Sequence, residues 1–211
     1  MRKEESEFKT CFISEAGTIK TNKDYFAFTE LDDYACWVIA SGVDSEEEKE
    51  SAKIAVESIL SDFMDNPSVS RRSIKKYLYN ANRVLKSESL NISLNASVTV
   101  VVSDYSKLVW AVCGNTRLYQ LRAGNLNFKS RDQSLSQVMA DKGKIDTMEL
   151  NSHEEANNLT CCLGMSGMFR PFISKKFELV EGDAILLCTG GFIRGIDDIE
   201  ITDALQETKE P

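Results

Sequence analysis

Hydrophobic and polar positions are most informative across residues 97–128, SVTVVVSDYSKLVWAVCGNTRLYQLRAGNLNF. Residues 98–102 are β-branched throughout, Ser103-Asp104-Tyr105-Ser106 supplies a turn, and residues 108–112 are again apolar. Gly114-Asn115-Thr116 interrupts the pattern, residues 117–121 alternate, and Gly124-Asn125 turns before a short last strand. Short connections predict antiparallel neighbours, so the stretch reads as a four-stranded meander. The unbroken apolar runs in its first two strands predict cover on both faces.

Upstream, residues 8–13 read as a first strand, with a turn between Gly17 and Thr21-Asn22-Lys23-Asp24. Residues 25–29 and 34–40 form a predicted strand pair through Leu31-Asp32-Asp33, and the second ends in Ser41-Gly42-Val43-Asp44. Ser45 with Glu48 three residues on is a capping box, and the acids that follow Ser45 suit the positive end of a helix. The helix stripe is Ala52, Ala55, Val56, Ile59, Leu60 and Phe63, stopped by Asp65-Asn66-Pro67. Ser70 caps a second helix with the stripe Ile74, Leu78, Ala81 and Leu85. Two amphipathic helices in succession predict an antiparallel pair laid on a sheet.

Downstream, residues 132–142 predict a short helix closed by Gly143. Residues 146–158 read as a polar loop in which His153, the single histidine, is a surface side chain. Residues 172–179 predict a strand, Glu181-Gly182-Asp183 a turn, residues 184–188 a buried strand and residues 197–205 a last helix. Together these elements define an α+β domain with helices segregated from antiparallel sheets. A chain of 211 residues is expected to be one domain with a full core.

Charge and cysteine usage narrow the function classes. The formal net charge of −8 excludes a nucleic-acid partner, which needs a basic face. Arg71, Arg72, Lys75 and Lys76 read as a solvated helix flank. No segment approaches the ~18 apolar residues of a membrane span, so no membrane partner is expected within this chain. The cysteines at 11, 36, 113, 161, 162 and 188 show no C-x-x-C, and those at 36, 113 and 188 sit inside apolar runs. With the polar opening Met1-Arg2-Lys3-Glu4-Glu5, this predicts a reducing, cytoplasmic setting.

Six short motifs stand in order along the chain. They are Gly17, Lys20 and Asn22-Lys23-Asp24; Ala40-Ser41-Gly42-Val43-Asp44-Ser45; and Asn95-Ala96-Ser97. Then come Gly114-Asn115-Thr116-Arg117 followed by Tyr119; Asp132-Gln133-Ser134; and Gly182-Asp183-Ala184-Ile185-Leu186-Leu187-Cys188-Thr189-Gly190-Gly191. In this order and spacing the chain resembles the metal-dependent type 2C Ser/Thr protein phosphatases, especially compact bacterial members, over roughly residues 17–201. The resemblance implies a four-layer α-β-β-α sandwich and a cleft holding two Mn²⁺ or Mg²⁺ ions. It assigns Asp24, Ser41, Gly42, Asn115 and Gly190 to metal-site positions and Lys20 to the phosphate-contacting position, one residue closer to Asp24 than the family pattern has it.

At those positions the chain departs from the family. Aspartates expected at 41, 115 and 190 are Ser, Asn and Gly, and Lys23 stands beside the surviving Asp24. Two hard dications need several anionic oxygens, and one carboxylate beside a lysine supplies too little charge. Without bound metal nothing lowers the pKa of an attacking water. The family's closing Asp-Asn is also absent, which predicts a sheet short of its last strand and an open edge. A longer protein continuing past Pro211, or a second copy, is the expected cover for that edge. The reading is a catalytically inactive type 2C phosphatase-like domain, without cofactor, serving as a regulatory or binding module in phosphorylation signalling. Its expected partner is a protein, such as a phosphoprotein or kinase. The alternative is an active phosphoprotein phosphatase with a weak metal site through Asp24 and Asp44.

Overall fold

The computed structural model describes residues 6–17, 21–43, 50–89, 93–194 and 196–207. Two strands open it: β1 (Asp24–Glu30) and β2 (Ala35–Gly42) form an antiparallel hairpin whose register sets Asp24 against Ser41. Helix α1 (Ser51–Asp65) and helix α2 (Arg71–Glu88) follow, and the Ser70 hydroxyl accepts the Ser73 N–H at 3.0 Å to cap the second. β3 (Ala96–Ser103) pairs with β2 on one side and with β4 (Lys107–Cys113) on the other. β5 (Arg117–Arg122), β6 (Asn125–Lys129) and β9 (Ala184–Cys188) make a separate three-stranded sheet in the order β6-β5-β9. The remaining strands, β7 (Phe172–Ile173) and β8 (Phe177–Glu178), both pair with β4 and complete a six-stranded first sheet.

Strand alternation sorts the apolar side chains into three layers. Val38, Ala40, Val98, Val100, Val102, Val109 and Ala111 face the helices, where the stripes of α1 and α2 cover them. Trp37, Val101, Leu108, Trp110 and Val112 point the other way and meet Leu118, Ile185 and Leu187 between the sheets. Tyr119, Leu121 and Cys188 form the outer face of the small sheet, under α4 (Gly190–Ile193) and α5 (Asp198–Glu207). Helix, sheet, sheet, helix is therefore the layer order, as expected, and both β3 and β4 are covered on both faces.

Five local expectations are corrected. The meander splits, because β4 and β5 lie in different sheets rather than side by side. The chain leaves the first sheet at Gly114, whose φ of +107° and position against Ser97 admit no side chain: an added Cβ would lie 2.4 Å from the Ser97 hydroxyl. That hydroxyl accepts the N–H groups of Asn115 at 2.9 Å and Thr116 at 2.8 Å, which holds the crossover. Residues 8–13 are not a strand; they lie across the sheet edge through side chains, with Phe8 against Trp37 and Thr10 accepting the Trp37 indole N–H at 3.0 Å. The predicted strand 172–179 is broken at Ser174, which spends its N–H and hydroxyl on Trp110 and leaves two short pieces. β9 is exposed at Ala184, half-buried through Ile185, Leu186 and Leu187 and buried only at Cys188, since it is the outer strand of its sheet. The helix expected over residues 132–142 begins later, as α3 (Leu135–Asp141), capped by Ser134 and followed by Gly143 at φ +65°. The capping box Ser45/Glu48 lies outside the described residues; α1 is described from Ser51, with Glu50 at its N-cap.

Candidate functional site

The ends of β1, β2 and β9 and the β4–β5 crossover converge at one edge of the sheet interface. Asp24 opens β1 directly opposite Ser41, and the Asn22 side chain holds the entry by accepting the Asp24 N–H at 2.9 Å. Thr189, just beyond β9, donates its hydroxyl to the Asp24 carboxylate at 2.6 Å. This contact spans nearly the whole sequence and joins the two sheets at the site. Gly42 donates its N–H to the Lys23 carbonyl at 2.8 Å, and the space over its Cα is taken by the Ser51 hydroxyl and Lys23.

Asn115 and Gly190 face one another. A Cβ added at Gly190 would lie 3.2 Å from the Asn115 amide nitrogen. That amide also donates to the Ala156 carbonyl and to Asn157 Oδ1, both at 3.4 Å. Asp24, Ser41, Gly42, Asn115 and Gly190 are thus gathered in one region, each half-buried. Lys20 and Asp44 lie outside the described residues. His153 accepts the Glu155 N–H through Nδ1 and starts Glu154–Asn157, the second of two 3-10 turns in the expected polar loop after Thr147–Glu149.

Beneath Asn115 a buried ion pair anchors the crossover. Arg117 donates Nε and Nη2 to the two oxygens of Asp132, each at 2.7 Å, with side chains only 4% and 6% exposed. Burial alone lowers the Arg117 pKa, but the Asp132 carboxylate outweighs it and holds the guanidinium charged. Arg117 also donates to Tyr119 Oη at 3.4 Å; that hydroxyl, raised in pKa by burial, donates to Asp198 at 3.0 Å, and Lys129 pairs with Asp198. The space between Asn115, Arg117, Asp132, Asn157, Gly190 and Arg194 is about 10 Å³, enough for one water. A more open depression of about 360 Å³ adjoins it, walled by Asn151, His153, Glu154, Asn157 and Arg194. Sequence reading missed the Thr189–Asp24 contact and the Arg117–Asp132 pair, although all four residues lie within the quoted motifs.

Two facing antiparallel sheets, helices on both outer surfaces and a cleft at the strand ends constitute the type 2C phosphatase fold. Solved structures bear this out. The Streptococcus agalactiae (S. agalactiae) serine/threonine phosphatase superposes with a TM-score of 0.81 at 17% identity, covering 94% of this chain and 86% of that one. Stp1 from Staphylococcus aureus gives 0.81 at 16% identity over 100% and 88%. The catalytic domain of PstP, solved in complex with two manganese ions, gives 0.79 at 19% over 93% and 84%. In sequence, 113 residues are 27% identical to the serine/threonine protein phosphatase PstP of Mycobacterium tuberculosis, covering 54% of this chain and only 22% of that protein. No family model matches the chain. Among the described residues no helix is long and apolar enough to cross a membrane.

Proposed function

We propose that this chain is a degenerate member of the type 2C phosphatase family that binds a protein partner in phosphorylation signalling and does not hydrolyse phosphoesters. One observation carries the reading: of the side chains brought to the family's metal positions, Asp24 alone is a carboxylate, and Thr189 already occupies one of its oxygens. Ser41 offers a neutral hydroxyl, Asn115 a neutral amide spent on Ala156 and Asn157, and Gly190 no side chain. Among the described residues no group of three or more His, Cys, Asp or Glu side chains is disposed to hold a metal. Such donors do not fit a pair of hard dications, which take charge and six or more oxygens from carboxylates, carbonyls and water. What the cleft does offer is hydrogen-bonding surface from Asn151, Asn157 and Arg194, of the kind that meets a polar or phosphorylated protein segment.

Calorimetric titration with Mn²⁺, paired with an assay on phosphorylated peptide and para-nitrophenyl phosphate, tests the reading. The expected outcome is no site tighter than roughly 10⁻⁴–10⁻³ M and no turnover with or without metal. Micromolar sites with metal-dependent turnover would establish the alternative, an active phosphatase with a non-standard site, and overturn the proposal.

A further inference from the structure

Cys113, the last residue of β4, and Cys161 lie with their sulfur atoms 3.1 Å apart. Strand register explains the meeting. Along β3, Val98 faces Cys113, and two residues on Ala96 faces Leu163 through reciprocal backbone bonds of 3.1 and 2.9 Å. β4 leaves this ladder at Gly114, and residues 161–163 enter it in the same antiparallel sense. Counting back from Leu163 brings Cys161 level with Val98, the slot that Cys113 fills. Two chain segments therefore abut at one ladder position, each carrying a cysteine. Both are buried, at 0% and 5% exposure, in the layer beneath the helices, and Gly164 fixes the incoming segment by donating its N–H to the buried Asn82.

We propose that Cys113 and Cys161 form a modification site, closed as an intramolecular disulfide by a small hydroperoxide and reopened by thiols. The Cys113 thiol hydrogen-bonds Cys161 and the Arg170 backbone N–H adds to it, bringing Cys161 down to about 7, while burial pushes Cys113 well up. Cys161 is thus the attacking thiolate and Cys113 the resolving thiol. In the first step Cys161 sulfur attacks one peroxide oxygen. The S–O bond forms as the O–O bond breaks, giving a sulfenic acid and releasing the other oxygen as hydroxide (from hydrogen peroxide) or alkoxide; sulfur is oxidised and the peroxide reduced. In the second, Cys113 sulfur attacks Cys161 sulfur. The S–S bond forms as the S–OH bond breaks, and the Cys113 proton leaves with that hydroxyl as water. The bond ties β4 to residues 161–163 immediately before Gly114, and so fixes the crossover that carries Asn115 into the cleft.

The test is a titration of the full chain with hydrogen peroxide, followed by alkylation of free thiols and peptide mapping. The expected product is a Cys113–Cys161 cross-link, lighter by two hydrogen atoms and reversed by dithiothreitol, with an upward shift in melting temperature that the reduced protein lacks. Cys113→Ala is expected to accumulate a dimedone-reactive sulfenic acid at Cys161 and to lose the thermal shift; the wild-type map stands even where this variant folds poorly. Oxidised Cys161 beside a free Cys113, a dominant Cys161–Cys162 or intermolecular Cys11 bond, or untouched buried thiols once exposed Cys11 is oxidised would each overturn the proposal.

Discussion

Removing the Asp132 side chain probes how firmly the crossover below the cleft is held. Asp132→Ala leaves the Arg117 guanidinium, 4% exposed, with the weak Tyr119 Oη contact at 3.4 Å and without the carboxylate that neutralised it. Breaking a buried pair by deleting one partner costs about 3–5 kcal/mol, because the surviving charge stays desolvated. The one-water space beside the pair lets solvent reach the guanidinium, so about 3 kcal/mol is the expected cost. That is a large share of the 5–15 kcal/mol typical of a domain. Urea unfolding should report it as a lower midpoint at unchanged slope. Arg131→Ala, which breaks the exposed pair with Asp141, serves as control and should leave the midpoint nearly unmoved. A double replacement, Arg117→Met with Asp132→Leu, should cost less than Asp132→Ala alone, since no charge is then stranded. An Asp132→Ala penalty below about 1 kcal/mol, the range of surface pairs, would refute the claim that this pair is desolvated and structural.

Two further outcomes follow from particular contacts. Burial raises the Asp183 pKa, but the Arg122 guanidinium, bonded at 2.7 Å to both oxygens, and the Val180 N–H lower it further, to below the usual range. A depressed native pKa gives stability that is complete above the unfolded value near ~3.9 and is lost as pH falls through the native one; Asp183→Asn should therefore flatten the acid limb of a stability–pH curve, and a superimposable limb would show that the pairing is not what depresses the group. Among the described residues β9 pairs on one side only, with β5, and we propose its other side as the open edge that a second copy would cover; fast amide exchange at β9 that slows at high protein concentration is expected, while uniform, concentration-independent protection would exclude it.

The helices were legible because their signals are local. Six stripe residues of α1 and four of α2 are buried as spaced, and Ser70 caps as its identity suggests. Positions 24, 41, 42, 115 and 190 were legible as a group because the motif order carries the fold. What escaped depends on contacts between distant segments. Gly114-Asn115-Thr116 reads equally well as a hairpin turn or a crossover, and the deciding bonds come from Ser97, in another strand. Residues 8–13 have strand composition, yet they meet the sheet through Phe8 and Thr10 side chains rather than a backbone ladder. Thr189 carries no sign in the sequence that its hydroxyl reaches Asp24, and nothing in the irregular cysteine spacing pairs 113 with 161. Only the ladder position opposite Val98 does that.

Core and cleft make separate demands on this chain. Asp24, Ser41, Asn115 and Gly190 belong to none of the three apolar clusters, and all are half-buried at strand ends. A change at Val100 or Leu118 opens a cavity in a fully buried layer, whereas a change at a strand end alters one turn or one bond. Such a scaffold tolerates rewriting of its cleft position by position. The residues present also satisfy one another: the Asn115 amide takes up the space over Gly190, and the Thr189 hydroxyl takes a lone pair of Asp24. Carboxylates at all four places would repel unless cations neutralised them. With neutral groups at Ser41, Asn115 and Gly190 that repulsion is absent, and the Thr189–Asp24 hydrogen bond joins the strand ends of the two sheets. On the proposed reading, a cleft held in this way has no carboxylate at these three places that a bound cation would have to neutralise.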